Sequence, residues 1–249
     1  MKYDETFFQA QKNGVISSAK EIVPMVMDLI DPQKVVDVGC GIGAWLSIFK
    51  ESGVKEIFGV DGSWVRKEDL LIDGNNFQFA DLEEPLCVDK KFDLAVSLEV
   101  AEHISAKNAA TFIASIIRLA PVVLFSAAIP HQKGIGHQNE QWPQYWKELF
   151  AKNGYVAIDC FRKKIWNNKK VFPWYAQNIV VFVEKDYLNS NQKLKKEFDT
   201  GQDVFLPLVH PAIYLSKVDM KLMIIQMLPP LIRKRLKKIK FYFECLLKK

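Results

Sequence analysis

The chain has 249 residues, 49% hydrophobic and 25% charged, an ordinary globular composition with room for one sizeable core and an appendage. No run of about 18 uninterrupted apolar residues occurs, so no membrane-spanning helix is expected, and the opening residues, Met-Lys-Tyr-Asp-Glu, are too polar and acidic for a secretory signal. The formal net charge is +5, yet residues 217–249 alone carry +8, leaving the preceding 216 at −3; the basicity belongs to the tail and says little about the rest.

In chain order, the first expected element is a helix capped by Ser17 or Ser18, interrupted by Pro24 and ended near Ile30 by Asp31-Pro32. Residues 34–38 then read as a buried parallel strand running into a glycine turn, Asp37-Val38-Gly39-Cys40-Gly41-Ile42-Gly43, and on into a helix through Trp45. Gly39, Gly41 and Gly43 let the backbone take positive φ and approach a ligand with no Cβ in the way. A dinucleotide turn is spaced Gly-x-Gly-x-x-Gly and seats a pyrophosphate on the helix N-terminus. Here the third glycine comes one residue early, and Asp37, two residues before the first, would repel a pyrophosphate. A carboxylate at that place suits a ligand that carries an ammonium and a sulfonium, as S-adenosylmethionine does.

A second strand over 56–60 ends in Asp61, a third over 77–80 runs into Asp81-Leu82, and a fourth over 92–98 leads through Ser97-Leu98-Glu99 to Glu102-His103. Helices are expected over 108–119 and 143–153, the latter closed by Gly154, and strands over 121–127, 155–160 and 178–184. Strand and helix alternate, which argues for a parallel sheet covered on both faces. Ligands bind beyond the carboxyl ends of such strands, so the loops after strands four, five and six share the working face. Two of those loops, 129–146 and 162–178, are long for such connections, and long loops are commonly lids or binding surfaces.

Through Asp37-x-Gly39-x-Gly41-x-Gly43, Asp61, Asp81-Leu82 and residues 92–103, four motifs in order, the chain resembles the class I S-adenosylmethionine-dependent methyltransferases. The resemblance implies a Rossmann-like, doubly wound α/β sheet of seven strands in the order 3-2-1-4-5-7-6, strand seven antiparallel, followed by a C-terminal helical tail. It implies an enzyme whose cofactor contacts come from Asp37, Gly39, Cys40, Gly41, Gly43 and Trp45, from Asp61 on the ribose hydroxyls with Gly62 beside it, and from Asp81 on the adenine amino group. Leu82 would lie on the adenine face, and Ser97, Leu98, Glu99 and His103 would meet the methionine part.

Methyl transfer to a hydroxyl needs alignment and a place for the acceptor's proton. His137 and His131 fall on the expected working face; His137 is the leading candidate base because Asn139 and Glu140 follow closely enough to orient it, and Tyr145 completes the candidate catalytic set. The alternative is that these imidazoles only hydrogen-bond within their loop. Glu99, Glu102 and His103 are spaced to share one helical turn. That cluster can hold a divalent cation and resembles the metal site of some methyltransferases acting on terminal ribose hydroxyls; the favoured reading assigns no metal, with Glu99 contacting the cofactor instead. Arg162, Lys163, Lys164, Lys169 and Lys170 interleave with Trp166, Trp174 and Tyr175, which suits a small anionic acceptor, with Gln177 and Asn178 adding polar contacts.

Residues 125–130, 137–146 and 174–178 resemble more narrowly a subgroup of bacterial methyltransferases associated with surface-polysaccharide assembly, including those of capsule phosphoramidate decoration. This likeness spans about residues 3 to 185, and His131 stands where that subgroup would have a small residue. It implies transfer to an oxygen of a nucleotide-linked or phosphorylated sugar, or of a phosphoramidate group. Nucleic acid is disfavoured as partner because Ser97-Leu98-Glu99-Val100 replaces the Asn/Asp-Pro-Pro-aromatic motif of amine-directed nucleic-acid enzymes. The alternatives are a metal-assisted ribose 2'-hydroxyl RNA methyltransferase and a non-catalytic cofactor-binding subunit. Domains are expected at 1–187 and 188–249, the second a basic helical extension whose apolar stripe would dock on a subunit or rest on a membrane surface. Cys40, Cys87, Cys160 and Cys245 are far apart and form no Cys-x-x-Cys pair, which fits reduced thiols and a cytoplasmic location.

Overall fold

The computed structural model describes residues 5–201 and 207–217, the side chains of residues 5–11 excepted. The first helix, α1, runs unbroken from Glu5 to Ile30. Ser17 and Ser18 therefore lie inside it. Ser17 Oγ donates to the Lys170 carbonyl (2.9 Å), and Ser18 Oγ donates to the Gly14 carbonyl and accepts the Phe172 N–H (2.9 Å), so the two serines fasten the helix to a distant loop rather than cap it. Pro24 does not interrupt α1: it sits on the exposed face, where water can take the place of the missing N–H donor. The helix ends at Asp31, whose φ of 51° turns the chain into the sheet.

Seven strands follow: β1 (Lys34–Val38), β2 (Glu56–Asp61), β3 (Phe77–Phe79), β4 (Leu94–Leu98), β5 (Val122–Ser126), β6 (Tyr155–Ile158) and β7 (Val180–Glu184). Their order is β3-β2-β1-β4-β5-β7-β6; β7 pairs antiparallel with β5 and β6, and all other pairings are parallel. The central strands are buried on both faces, as near-continuous Val, Leu, Ala and Phe runs require. Val35, Leu94, Val96, Leu124 and Val181 pack with α1 and with α2 (Ala44–Glu51). On the other face, Val36, Ala95, Val123, Phe125 and Phe182 pack with α3 (Ala109–Ile117) and α4 (Pro143–Lys152). This topology brings the ends of β1, β2, β4 and β5 to one rim, where the candidate site is assembled.

The connection over 162–178 is not a plain loop. It holds two short helices, α5 (Arg162–Ile165) and α6 (Pro173–Asn178), which bury Ile165, Tyr175 and Ala176 in the core. After β7 come α7 (Lys185–Ser190) and α8 (Gln192–Gly201), and Leu188 and Leu194 join the same core as β1. The compact unit thus continues beyond residue 187, to His210, and the described residues 211–217 form α9 (Pro211–Lys217) in a second unit. The apolar and basic stretch expected over 218–249, with Cys245, lies outside the described residues. No helix among the described residues is long and apolar enough to cross a membrane.

Candidate active site

The turn between β1 and α2 has the conformation its glycines predict, with φ of 86° at Gly39, 54° at Gly41 and 80° at Gly43. A Cβ on Gly39 would stand 2.4 Å from Val100 Cγ2, so only glycine lets the turn lie against the end of β4. Gly41 has nothing within 4 Å of its Cβ direction, which leaves open space above the backbone there. Cys40 is buried in the turn, and burial pushes its thiol far up, out of thiolate chemistry. Trp45 packs edge-on against Tyr175, ring centroids 5.2 Å apart.

Asp37 at the end of β1 and Asp61 at the end of β2 are both buried, with 2% and 5% exposure. The Asp61 carboxylate accepts the Gly41 N–H at 2.5 Å and the Gly62 N–H at 2.6 Å, so the group expected to meet the ribose also fixes the glycine turn. Burial raises the pKa of Asp61 despite these hydrogen bonds; burial, then the neighbouring Asp61 charge, raises Asp37 well above the carboxylate range. Neither forms an ion pair with a Lys, Arg or His among the described residues. Two buried carboxylates without a cation, beside an open glycine cradle, fit a ligand that brings positive charge and ribose hydroxyls, and S-adenosylmethionine is such a ligand.

The end of the rim expected to hold adenine differs in detail from expectation. Asp81 is exposed, and its Oδ1 accepts the Glu83 N–H at 2.9 Å, closing a local turn. Leu82 is buried in the core that packs on α3 and α4. Two exposed aromatics that the sequence reading passed over flank this end: Trp64, 72% exposed and folded back over Gly62, and Phe79 at the end of β3, with Lys67 Nζ 5.5 Å from its ring centroid. Their signal in the sequence was their place, Trp64 just beyond β2 and Phe79 at the end of β3.

At the end of β4, Ser97 is fully buried and Leu98 nearly so, and the chain turns sharply because Glu99 has a φ of 57°. A glutamate in the left-handed region is costly, and surrounding contacts must hold it. The Glu99 N–H donates to Ser126 Oγ (3.0 Å); its carboxylate accepts Asn178 Nδ2 (3.0 Å) and Gln132 Nε2 (2.9 Å); Gln132 Oε1 in turn accepts from Gln177 and Asn178. Gln132 is the hub of this network and was missed; the only signal was its place in the loop after β5. Burial raises the Glu99 pKa against the pull of those hydrogen bonds.

This turn corrects the expected grouping of Glu99, Glu102 and His103. With Glu99 left-handed, helical spacing does not apply, and Glu99 joins the amides. Glu102 and His103 lie in a short 3-10 turn and are met instead by His137 from the loop after β5, their ligand-bearing atoms all within 4.8 Å of one another. Backbone N–H groups of Gln138 and Asn139 donate to the Glu102 carbonyl, and Gln138 Nε2 donates to that of His103, pinning the loop. His137 Nδ1 is 2.8 Å from Glu140 Oε1. His131 is exposed with a φ of 68°, and Tyr145 packs edge-on against Trp146 in the core, so neither is brought into this group.

The residues expected to meet an acceptor divide. Gln177 and Asn178 enter the Glu99 network and Tyr175 lines the core beside Trp45. Arg162, 1% exposed, is a structural group: it is paired with Asp159 and donates to the Gln177 carbonyl, so it offers nothing to an anion outside. The spacing Asp159-x-x-Arg162 was the available sign. Trp174 stacks on Phe172 at 4.1 Å, and the Trp166 carbonyl and ring pair with His210. Lys164 and Lys170 pair with Glu197 and Glu21; Lys163 and Lys169 are exposed.

A family model described as a methyltransferase domain matches residues 15–162. Solved structures of similar fold include the magnesium protoporphyrin IX methyltransferase of Synechocystis with bound S-adenosylhomocysteine, 17% identical over 74% of this chain and 90% of that one, TM-score 0.52. An amino pentose methyltransferase from Micromonospora echinaspora, bound to S-adenosylmethionine, is 12% identical over 74% and 99%, TM-score 0.53. A sugar N-methyltransferase from Streptoalloteichus is 13% identical over 74% and 93%, TM-score 0.56. No curated protein matches the chain. At these identities the likeness is one of fold.

Proposed function

Because the chain belongs to the methyltransferase-domain family, we propose that it transfers the methyl group of S-adenosylmethionine to an oxygen of a small anionic acceptor, a phosphorylated or nucleotide-linked sugar or a phosphoramidate group, in bacterial surface-glycan assembly. The observation that carries the donor half is the buried pair Asp37 and Asp61, neither ion-paired to a cation among the described residues, beside the open turn at Gly41. Bound there, S-adenosylmethionine supplies an already activated methyl group, so the chain's own part is alignment and proton management.

Asp61 holds the glycine turn in register with β2 through Gly41 and Gly62, and Asp37 stands beside it at the end of β1, where a bound cation favours its ionised form against the pull of burial. Glu99, held by Asn178 and Gln132, sets a fixed polar wall at the end of β4. For a hydroxyl acceptor, His137 backed by Glu140 can receive the proton: Nδ1 is held by the carboxylate, leaving Nε2 as the working nitrogen. A phosphoryl or phosphoramidate oxygen is already anionic and needs no base. Exposed Lys163 and Lys169 favour an anionic acceptor, while the pairing of Arg162 within the chain removes the strongest cation from that role.

A second reading, transfer to a ribose hydroxyl assisted by a cation, is favoured by one observation, the meeting of Glu102, His103 and His137. Incubation of the purified chain with labelled S-adenosylmethionine and a panel of phosphorylated sugars, nucleotide-linked sugars and RNA 3'-ends, read by mass spectrometry, separates the two. Methylation of the sugars supports the first reading, and methylation confined to ribose replaces it with the second.

A further inference from the structure

We propose that Glu102, His103 and His137 form a binding site for a first-row divalent transition-metal cation at the acceptor rim of the sheet. Their ligand-bearing atoms lie within 4.8 Å of one another. Metal–ligand bonds of about 2.1 Å put neighbouring ligand atoms roughly 3 to 3.5 Å apart, so the three groups need draw in by only about an ångström.

The second observation is the state of Glu102. It is 1% exposed, and neither of its carboxylate oxygens has a hydrogen-bond partner. Its ion-pair contact is His137 Nε2, at 3.9 Å, too far for a hydrogen bond. The backbone N–H groups of Glu102 and Ala128 act on the carboxyl without a well-formed hydrogen bond, and a carboxylate buried in that state is costly to keep ionised; a cation seated beside it removes that cost.

The surroundings are arranged as a metal site's supporting groups are. His137 Nδ1 is 2.8 Å from Glu140, which sets the ring's orientation and leaves Nε2 for the cluster; a carboxylate behind a ligating imidazole is the usual way of fixing its tautomer. The His103 and His137 rings are perpendicular, 4.8 Å between centroids, so neither ring covers the other's nitrogens. The loop bearing His137 is tied to the turn bearing Glu102 by two backbone hydrogen bonds to the Glu102 carbonyl. Ligands from two chain segments are thereby held together before any ion arrives.

Two imidazoles and one carboxylate select the class of ion. Magnesium and calcium prefer oxygen ligands, whereas manganese, iron, cobalt and zinc accept this mixed set. Three protein ligands leave coordination positions free, which an acceptor oxygen can occupy. That use of the cation rests on the methyl-transfer reading above and makes His137 a ligand in place of a base; the binding itself does not depend on it.

The test is calorimetric and spectroscopic titration of the untagged, chelator-stripped full chain with MnCl2, CoCl2 and ZnCl2, and with MgCl2 for comparison. The expected result is a single saturable site per chain, magnesium at least about tenfold weaker. Glu102→Gln and His103→Asn should each weaken binding at least about a hundredfold, and Glu140→Gln about ten- to a hundredfold. Absence of saturable binding to the wild-type chain at millimolar cation overturns the proposal, as does unchanged affinity in a folded Glu102→Gln or His103→Asn variant. A parallel titration with S-adenosylhomocysteine keeps the outcomes apart: cofactor binding without metal binding sinks this inference alone, and the reverse sinks the methyl-transfer reading.

Discussion

His137 Nδ1 lies 2.8 Å from Glu140 Oε1, three residues further along the same loop. Burial pushes the Glu140 carboxyl up, yet the hydrogen bonds from His137 and from the Lys133 and His131 backbone outweigh it and hold the group below the usual range. Glu140 is thus ionised at neutral pH and polarises the imidazole. His137→Ala is expected to cut turnover of a hydroxyl acceptor by roughly a hundredfold or more, and Glu140→Gln by about tenfold, with cofactor affinity unchanged. Steady-state kinetics with calorimetry checks this; full turnover in His137→Ala contradicts it.

Asp61→Ala removes the acceptor for the Gly41 and Gly62 N–H groups together with any ribose contact. Hydrogen bonds to a charged group are worth about 1.5–3 kcal/mol, so S-adenosylhomocysteine affinity should fall by roughly ten- to a hundredfold. Unchanged affinity would show that the ligand does not sit at the end of β2.

Asp37 couples stability to pH. Its folded pKa is raised above the ordinary 3.8, first by burial and then by Asp61, so the folded protein binds a proton that the unfolded chain has already lost. Stability of the ligand-free protein therefore falls as pH rises from about 4 toward that raised value. Asp37→Asn should melt above the wild type at pH 8, the gap closing toward pH 4, while binding S-adenosylmethionine more weakly. Thermal melts of both proteins across that range, with and without ligand, decide it. A variant that melts lower at pH 8 contradicts the assignment.

Arg162→Ala should unfold the protein more easily, by about 3 kcal/mol, because it strands Asp159 and the Gln177 carbonyl. Urea denaturation measures this. A large rise in acceptor KM at unchanged stability would instead make Arg162 an anion-binding group.

The glycine turn, Asp37 and Asp61 were legible because their chemistry is local: spacing, positive φ and strand ends are written in consecutive residues. The seven-strand order was readable once those motifs lay in order along the chain. Long-range pairing was not. Nothing local announces that Gln132 meets Gln177, or that His137 meets Glu102, since tertiary packing sets both. Glu99 misled for a related reason, because a left-handed glutamate breaks the helical periodicity that its spacing suggested. Arg162 was expected to face an anionic acceptor with the neighbouring lysines, whereas its pairing with Asp159 allows it to be buried.

The most direct test of the central claim is calorimetric titration of the wild-type chain with S-adenosylmethionine. A single saturable site, weakened in Asp37→Asn and in Asp61→Ala, is the predicted result. No measurable binding at millimolar ligand would contradict the account at its root.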